Sequence, residues 1–300
     1  MFKGKVMGVV VLSLLVGGLT LSGCRQETKS ATGKIKVVTT TNFYGEMARA
    51  VGGNRVKVQS IINQPSVDPH DYEPTPDVAK AVANADIAVA NGIGYDGWMN
   101  KLVKAAPATQ LIRVGEDVMH EKAGANEHLW YNVKAMPAAA NYLAQRLAKK
   151  DPQHRKTYQQ NAKKYVASLQ SVTQEAKQLR RQVKQLPNRR ILVSEPVFDN
   201  ALTALGLRVT NVNFENAIEK GTDPSPKVIR QMQMDLKHRR VVLFVNNKQV
   251  STKTVSNMVQ LAQQNRIPVL KVTETMPAKM TYQQWMLTQY RALSRLLPDK

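Results

Sequence analysis

Residues 156–186, KTYQQNAKKYVASLQSVTQEAKQLRRQVKQL, contain no glycine or proline, and Pro187 is the first breaker after them. Apolar residues recur there every three or four positions: Tyr158, Ala162, Tyr165, Leu169, Val172, Ala176, Leu179, Val183 and Leu186. That period predicts one amphipathic helix, on the order of 46 Å long at ~1.5 Å per residue. Its apolar stripe is narrow and its other faces are strongly basic. Such a helix can bury its stripe as a coiled-coil seam with a second copy, or lie as a strut along packed domains on either side. The flanking sequence favours the strut.

Before the helix, short β-branched runs alternate with helix-like stretches. IKVVTT (35–40), VKVQSII (56–62), IAVAN (87–91) and QLIRV (110–114) read as strands. Residues 43–51, 76–85, 97–106 and 135–149 read as helices, the second opened by Thr75-Pro76-Asp77, a capping residue with proline at the first helical position. After the helix the style repeats: RILVS (190–194), LRVTNV (207–212), VVLFV (241–245) and VLKVT (269–273) are strands, and 282–297 is a closing helix. Alternating β and α of this kind predicts an α/β protein of two lobes. Each lobe has a mostly parallel sheet flanked by helices, and one long backbone helix joins them. The expected bounds are a lobe over 34–153, the linking helix over 154–187 and a second lobe over 188–300.

The front end is different. Lys3 and Lys5 precede an apolar run from Val6 to Leu19, and Leu21-Ser22-Gly23-Cys24 closes it. The run is shorter than the ~20 apolar residues of a spanning helix and has the layout of a secretory signal over 1–23. Cysteine at the end of such a run resembles a bacterial lipobox, which makes Cys24 the lipidation site and 24–33 a polar tether. Cys24 is the only cysteine in the chain, so the mature domain has no disulfides and relies on its core. These features predict an extracytoplasmic protein, lipid-anchored to the outer face of the bacterial cell membrane. Its 43 basic and 22 acidic side chains give a formal charge of +21. With no nucleic-acid motif and few aromatics, this balance points to surface attraction and solubility rather than nucleic acid.

In open α/β sheets, ligands sit beyond the carboxyl ends of the strands. RILVS runs into Glu195-Pro196, and VLKVT into Glu274-Thr275-Met276-Pro277. VKVQSII leads to VDPHDYEPTP (67–76), which holds His70 between prolines and acids, and QLIRV leads through a polar loop to Glu127-His128-Leu129-Trp130. Two imidazoles and two carboxylates thus collect at strand ends, two from each half. His70, His128, Glu195 and Glu274 form a mixed N/O set suited to Zn²⁺ or Mn²⁺, with Fe²⁺ also compatible. Asp68, Asp71 and Glu73 are placed to orient the His70 ring. His120, His154 and His238 read as solvated.

The same residues carry a resemblance. The chain resembles the zinc- and manganese-binding receptors of ABC importers, the family of pneumococcal surface antigen A and the zinc-uptake binding proteins. It does so through the lipobox, VVTTTNFYGEMARAVGG (37–53), DPHDYEPTPDVAKAVANADIAVANG (68–92), HLWYN (128–132), SEPVFDNALTALGL (194–207), and TETMP with YQQWM (282–286). The resemblance implies two α/β lobes joined by one long helix, ligands at His70, His128, Glu195 and Glu274, a membrane permease as partner, and no catalysis. The expected protein is a monomer. Departures concern the metal. Zinc-dedicated members often supply a third histidine where this chain has Glu195, and the manganese-type set usually ends in aspartate where it has Glu274. Three other readings compete: a receptor for a larger metal chelate of cobalamin or siderophore type, a metal-dependent hydrolase, and an adhesin using the long helix as a seam. The hydrolase would need an open coordination position for water, and the chain has no HExxH run.

Overall fold

The computed structural model describes residues 1–4, 33–64, 67 and 72–298. Cys24, most of the leader and tether, and His70 with Asp68 and Asp71 lie outside the described residues. Met1–Ala31 and Thr32–Lys300 are separate units, and all that follows concerns the second.

The first lobe runs β1 (Ile35–Thr41), α1 (Asn42–Gly52), β2 (Val56–Ile62), α2 (Pro76–Ala83), β3 (Ile87–Ala90), α3 (Gly97–Lys104) and β4 (Gln110–Arg113). Its strands are all parallel in the order β2-β1-β3-β4. β3 is buried at every position and β1 at all but Lys36, as expected of inner strands covered on both faces. At β2, on the edge, buried and half-exposed residues mix. α2 starts as its sequence predicts, with the Thr75 hydroxyl accepting the Val78 amide behind Pro76. The chain then passes through α4 (Ala135–Lys150), α5 (Arg155–Ser168) and α6 (Gln170–Gln185).

The second lobe runs β5 (Arg190–Val193), α7 (Asp199–Leu205), β6 (Arg208–Val209), α8 (Val212–Glu219), α9 (Pro226–Lys237), β7 (Leu243–Asn247), α10 (Lys253–Gln264), β8 (Val269–Val272) and α11 (Tyr282–Leu296). Its order, β6-β5-β7-β8, repeats the first sheet, again all parallel. In each sheet the chain reverses direction between the two inner strands, which sets a crevice at β1/β3 and another at β5/β7.

Two elements depart from the sequence reading. LRVTNV shrinks to the two residues of β6, because Asn211 turns inward to hold β5 (Nδ2 to Val193 O, 2.7 Å) and α8 begins at Val212. VVLFV is displaced to Leu243–Asn247: the polar Asn246 and Asn247 stay in the strand because they pair with Lys271 and Val272 of β8.

The long helix is interrupted once, at Leu169, where the amide bonds back to Val166 O in an i→i−3 step. The break falls where the helix leaves α1 and α4 of the first lobe for α7 and α11 of the second. Val172 donates to Leu169 O, and Gln283 of α11 donates instead to the Ser168 carbonyl at 2.6 Å. The expected stripe is nonetheless the buried one: Tyr158, Ala162, Tyr165, Leu169, Val172, Leu179 and Val183 are covered by helices of this same chain. No seam is left over for a coiled coil.

Of three hydrophobic clusters among the described residues, one spans both lobes, from Val37 and Phe43 through Tyr158 and Leu179 to Ile191 and Trp285. Rings join the halves: Phe43 lies 5.8 Å from Trp285, and Tyr131 lies 4.7 Å from Phe198. Polar ties add to them, from Asn42 Nδ2 to Met276 O (2.9 Å) and from the Tyr282 amide to Glu46 Oε2 (2.6 Å). No helix among the described residues is long and apolar enough to cross a membrane.

Candidate metal centre

Glu195 directly follows Ser194 at the carboxyl end of β5, the inner strand of the second sheet. The crevice itself holds its carboxylate. Asn247, at the end of the neighbouring strand β7, donates from Nδ2 to Glu195 Oε2 at 2.8 Å, while its own amide is held by Ser194 Oγ at 2.9 Å. Glu274 lies two residues beyond β8, where its amide is bound by Gln249 Oε1 at 2.7 Å. Glu195 and Glu274 line one cavity of about 460 Å³.

His128 comes from the other lobe and is 1% exposed. β4 does not reach it directly. A π-helical turn, Val114–Met119, intervenes, and its acids have structural partners: Glu116 accepts the Ile93 amide, and Asp117 pairs with Arg113 at 2.8 Å. The loop bearing His128 is secured from both lobes. Asn91, just beyond β3, donates to Glu127 O (2.8 Å) and accepts from Tyr44 (2.7 Å). Asn200 of α7 donates to His128 O at 2.9 Å, and Asn126 donates to Pro196 O at 2.7 Å. Gly92 allows the tight exit from β3: its φ is +83°, and a Cβ there would meet Glu116 Oε2 at 2.0 Å.

Asn126 also fixes the tautomer of the ring. Its Nδ2 faces a carbonyl, so its Oδ1 is the atom toward His128, where it accepts the backbone amide at 2.9 Å. The same Oδ1 lies 3.0 Å from Nδ1, and an acceptor there requires Nδ1 to carry a proton. In the neutral ring, Nε2 then presents a lone pair. It faces Glu274 Oε1 at 4.0 Å and Glu219 Oε1 at 3.7 Å. Tyr95, 3% exposed, stands edge-on to His128 with ring centres 6.4 Å apart. Burial first, then the charges of Glu274 and Asp96 and a hydrogen bond to Glu274, raise its phenol well above the usual value, so it remains an O–H donor.

The structure therefore brings His128 and Glu274 together and sets Glu195 in the cavity that Glu274 lines. Glu73 is exposed, and His70 falls outside the described residues. Among the described residues, no three His, Cys, Asp or Glu side chains already close on one point. The donors present, a neutral imidazole nitrogen and buried carboxylates, nevertheless have the chemistry a divalent cation requires. His120 and His238 are exposed as expected, whereas His154 is tied to Asp151 at 2.8 Å. Sequence reasoning missed Asn126, Asn247 and Glu219. Asn247 was accessible to it, since it ends a strand beside the crevice. Glu219 ends a helix and gives no such signal.

Two parallel-sheet lobes, tied by backbone helices and carrying their polar residues at the strand ends, make up the plan of a solute receptor for an ABC importer. Residues 37–296 match the family model of zinc-uptake complex component A, periplasmic, and the chain belongs to that family. It is a binding protein, not an enzyme. Among relatives, the iron ABC transporter substrate-binding lipoprotein MtsA of Streptococcus pyogenes serotype M6 is 32% identical over 235 residues, covering 73% of this chain and 75% of its own. The metal ABC transporter substrate-binding lipoprotein FimA of Streptococcus parasanguinis is 29% identical over 282 residues, 88% of each chain. The zinc-binding periplasmic protein TroA of Treponema pallidum shares the fold at a TM-score of 0.73 and 18% identity, over 89% of this chain and 100% of that one.

Proposed function

We propose that this protein captures a divalent first-row metal ion, Mn²⁺ or Zn²⁺ with Fe²⁺ compatible, and delivers it to a membrane permease. His70, His128, Glu195 and Glu274 are the ligands. The observation that carries this reading is the buried His128, locked as the Nδ1–H tautomer with its Nε2 lone pair aimed at the Glu274 carboxylate. An imidazole 1% exposed suits a bare ion and is out of reach for a cobalamin- or siderophore-sized chelate. Lipidation at Cys24 would keep the receptor, as a monomer, close to the outer face of the membrane. The core shared by both lobes supports small movements on loading rather than wide hinge closure. Because the imidazoles must be neutral and the carboxylates ionised, affinity falls in mild acid.

The test is competitive titration of Mn²⁺ and Zn²⁺ against a chelator. His128→Ala and Glu195→Ala should each weaken binding by about tenfold or more while far-UV circular dichroism is unchanged. Affinities equal to wild type would remove those residues from the site.

A further inference from the structure

We infer that Glu219 is a further metal-facing carboxylate, one that biases the site toward a larger, oxygen-preferring ion such as Mn²⁺ over Zn²⁺. The inference rests on the metal-receptor reading and deepens it. Glu219 Oε1 is nearer to His128 Nε2, at 3.7 Å, than is Glu274 Oε1, at 4.0 Å. Donors bound to one ion at ~2.0–2.2 Å stand roughly 3.0–3.6 Å apart. Each carboxylate, paired with that nitrogen, is therefore within about 1 Å of the separation that a shared ion requires. Glu219 also lines two cavities, one with His128 and the other with Glu195 and Glu274.

Local physics argues against a carboxylate here for structural reasons. Glu219 is the last residue of α8, where the helix dipole disfavours an anion. That cost is relieved by a dication at the cleft. A third carboxylate beside two imidazoles and two glutamates gives five possible protein donors. That number exceeds the tetrahedral four that suffice for Zn²⁺ and moves the set toward the oxygen-rich, higher-coordinate sites that suit Mn²⁺.

The experiment uses the detergent-solubilised full chain, titrated with Mn²⁺ and with Zn²⁺ in competition with a chelating dye. Glu219→Gln keeps the volume and removes the charge, and Glu219→Asp keeps the charge on a shorter arm. Glu219→Gln should weaken Mn²⁺ binding by about tenfold and Zn²⁺ binding by no more than about threefold. Glu219→Asp should fall between Glu219→Gln and wild type for Mn²⁺, and the thermal midpoints of the metal-free proteins should agree. Unchanged affinities, equal losses for the two metals, or a larger loss for Zn²⁺ would overturn the assignment and leave the receptor reading intact. Wild-type protein that binds neither metal would overturn both.

Discussion

Beside the proposed centre, two acids share a buried position whose energetics can be worked out from the structure. Asp199 opens α7 and Glu215 lies on α8; both line the cavity that contains His128, and Glu215 is only 2% exposed. Burial first, then the charges of Asp199 and Glu219 and a hydrogen bond to Asp199, together push Glu215 up to about 8. Burial lifts Asp199 to about 7, against the opposing hydrogen bond from Glu215. Glu215 thus keeps its proton and donates it to Asp199. Both groups bind protons more tightly in the folded chain than in the unfolded one, where they titrate near 4. The native state then holds more protons across this window, and stability falls as pH rises. The contribution is complete below about pH 4 and lost above about pH 8. With about 1.4 kcal/mol per unit, the Asp199 share lost between pH 5 and pH 8 is on the order of 2–3 kcal/mol.

Asp199→Asn removes that share, since the amide cannot ionise and its oxygen still accepts the Glu215 proton. In chemical denaturation of the full chain, the loss of stability from pH 5 to pH 8 should be shallower in the variant by about 2 kcal/mol. Its melting temperature at pH 8 should rise by about 5 °C. Groups titrating elsewhere are common to both proteins and cancel in the difference. Parallel pH profiles for wild type and variant would refute the shared-proton account.

Two other substitutions probe the scaffold. Asn126→Ala deprives the His128 ring of the acceptor at Nδ1 and leaves Pro196 O without its donor. Metal affinity should drop by about tenfold or more and stability by about 2 kcal/mol, with a second imidazole tautomer visible by ¹⁵N NMR. Gln283→Ala uncovers the Ser168 carbonyl at the helix break. Stability should fall by about 1 kcal/mol in urea, and an unchanged midpoint would mean that water replaces the amide at no cost.

What the sequence disclosed follows from how local each signal is. β1 and β2 were readable to within a residue because their β-branched runs end at sharp polar boundaries, and α2 because its cap and proline act within one turn. The stripe from Tyr158 to Val183 named the buried face of the linking helices, yet nothing in it marked Leu169 as a break. The partner that takes up the Ser168 carbonyl there, Gln283, lies more than a hundred residues away. β7 moved because strand pairing, a non-local force, outweighed the poor β-propensity of Asn246 and Asn247. The adjacency rule put Glu195 and Glu274 at strand ends. It could not find Asn126, whose role exists only because Pro196 and His128 arrive on either side of it.

The residues that hold the centre share one chemical property. Asn126 fixes the imidazole, Asn200 the carbonyl behind it, Asn247 the Glu195 carboxylate and Gln249 the backbone of Glu274. All four are neutral amides, in a chain whose basic side chains outnumber its acids 43 to 22. A lysine or arginine in place of Asn247 would hold the Glu195 carboxylate equally well, but would cancel the charge that attracts a cation and would compete with it for the oxygen. At Asn126 and Gln249, which act as acceptors, neither could serve. An amide donates one hydrogen bond, leaves the carboxylate its full charge, and offers its own oxygen to a neighbouring N–H. Positioning by amides thus keeps acids rigid and still anionic, and so explains how a strongly basic protein can present a negative cleft to a dication.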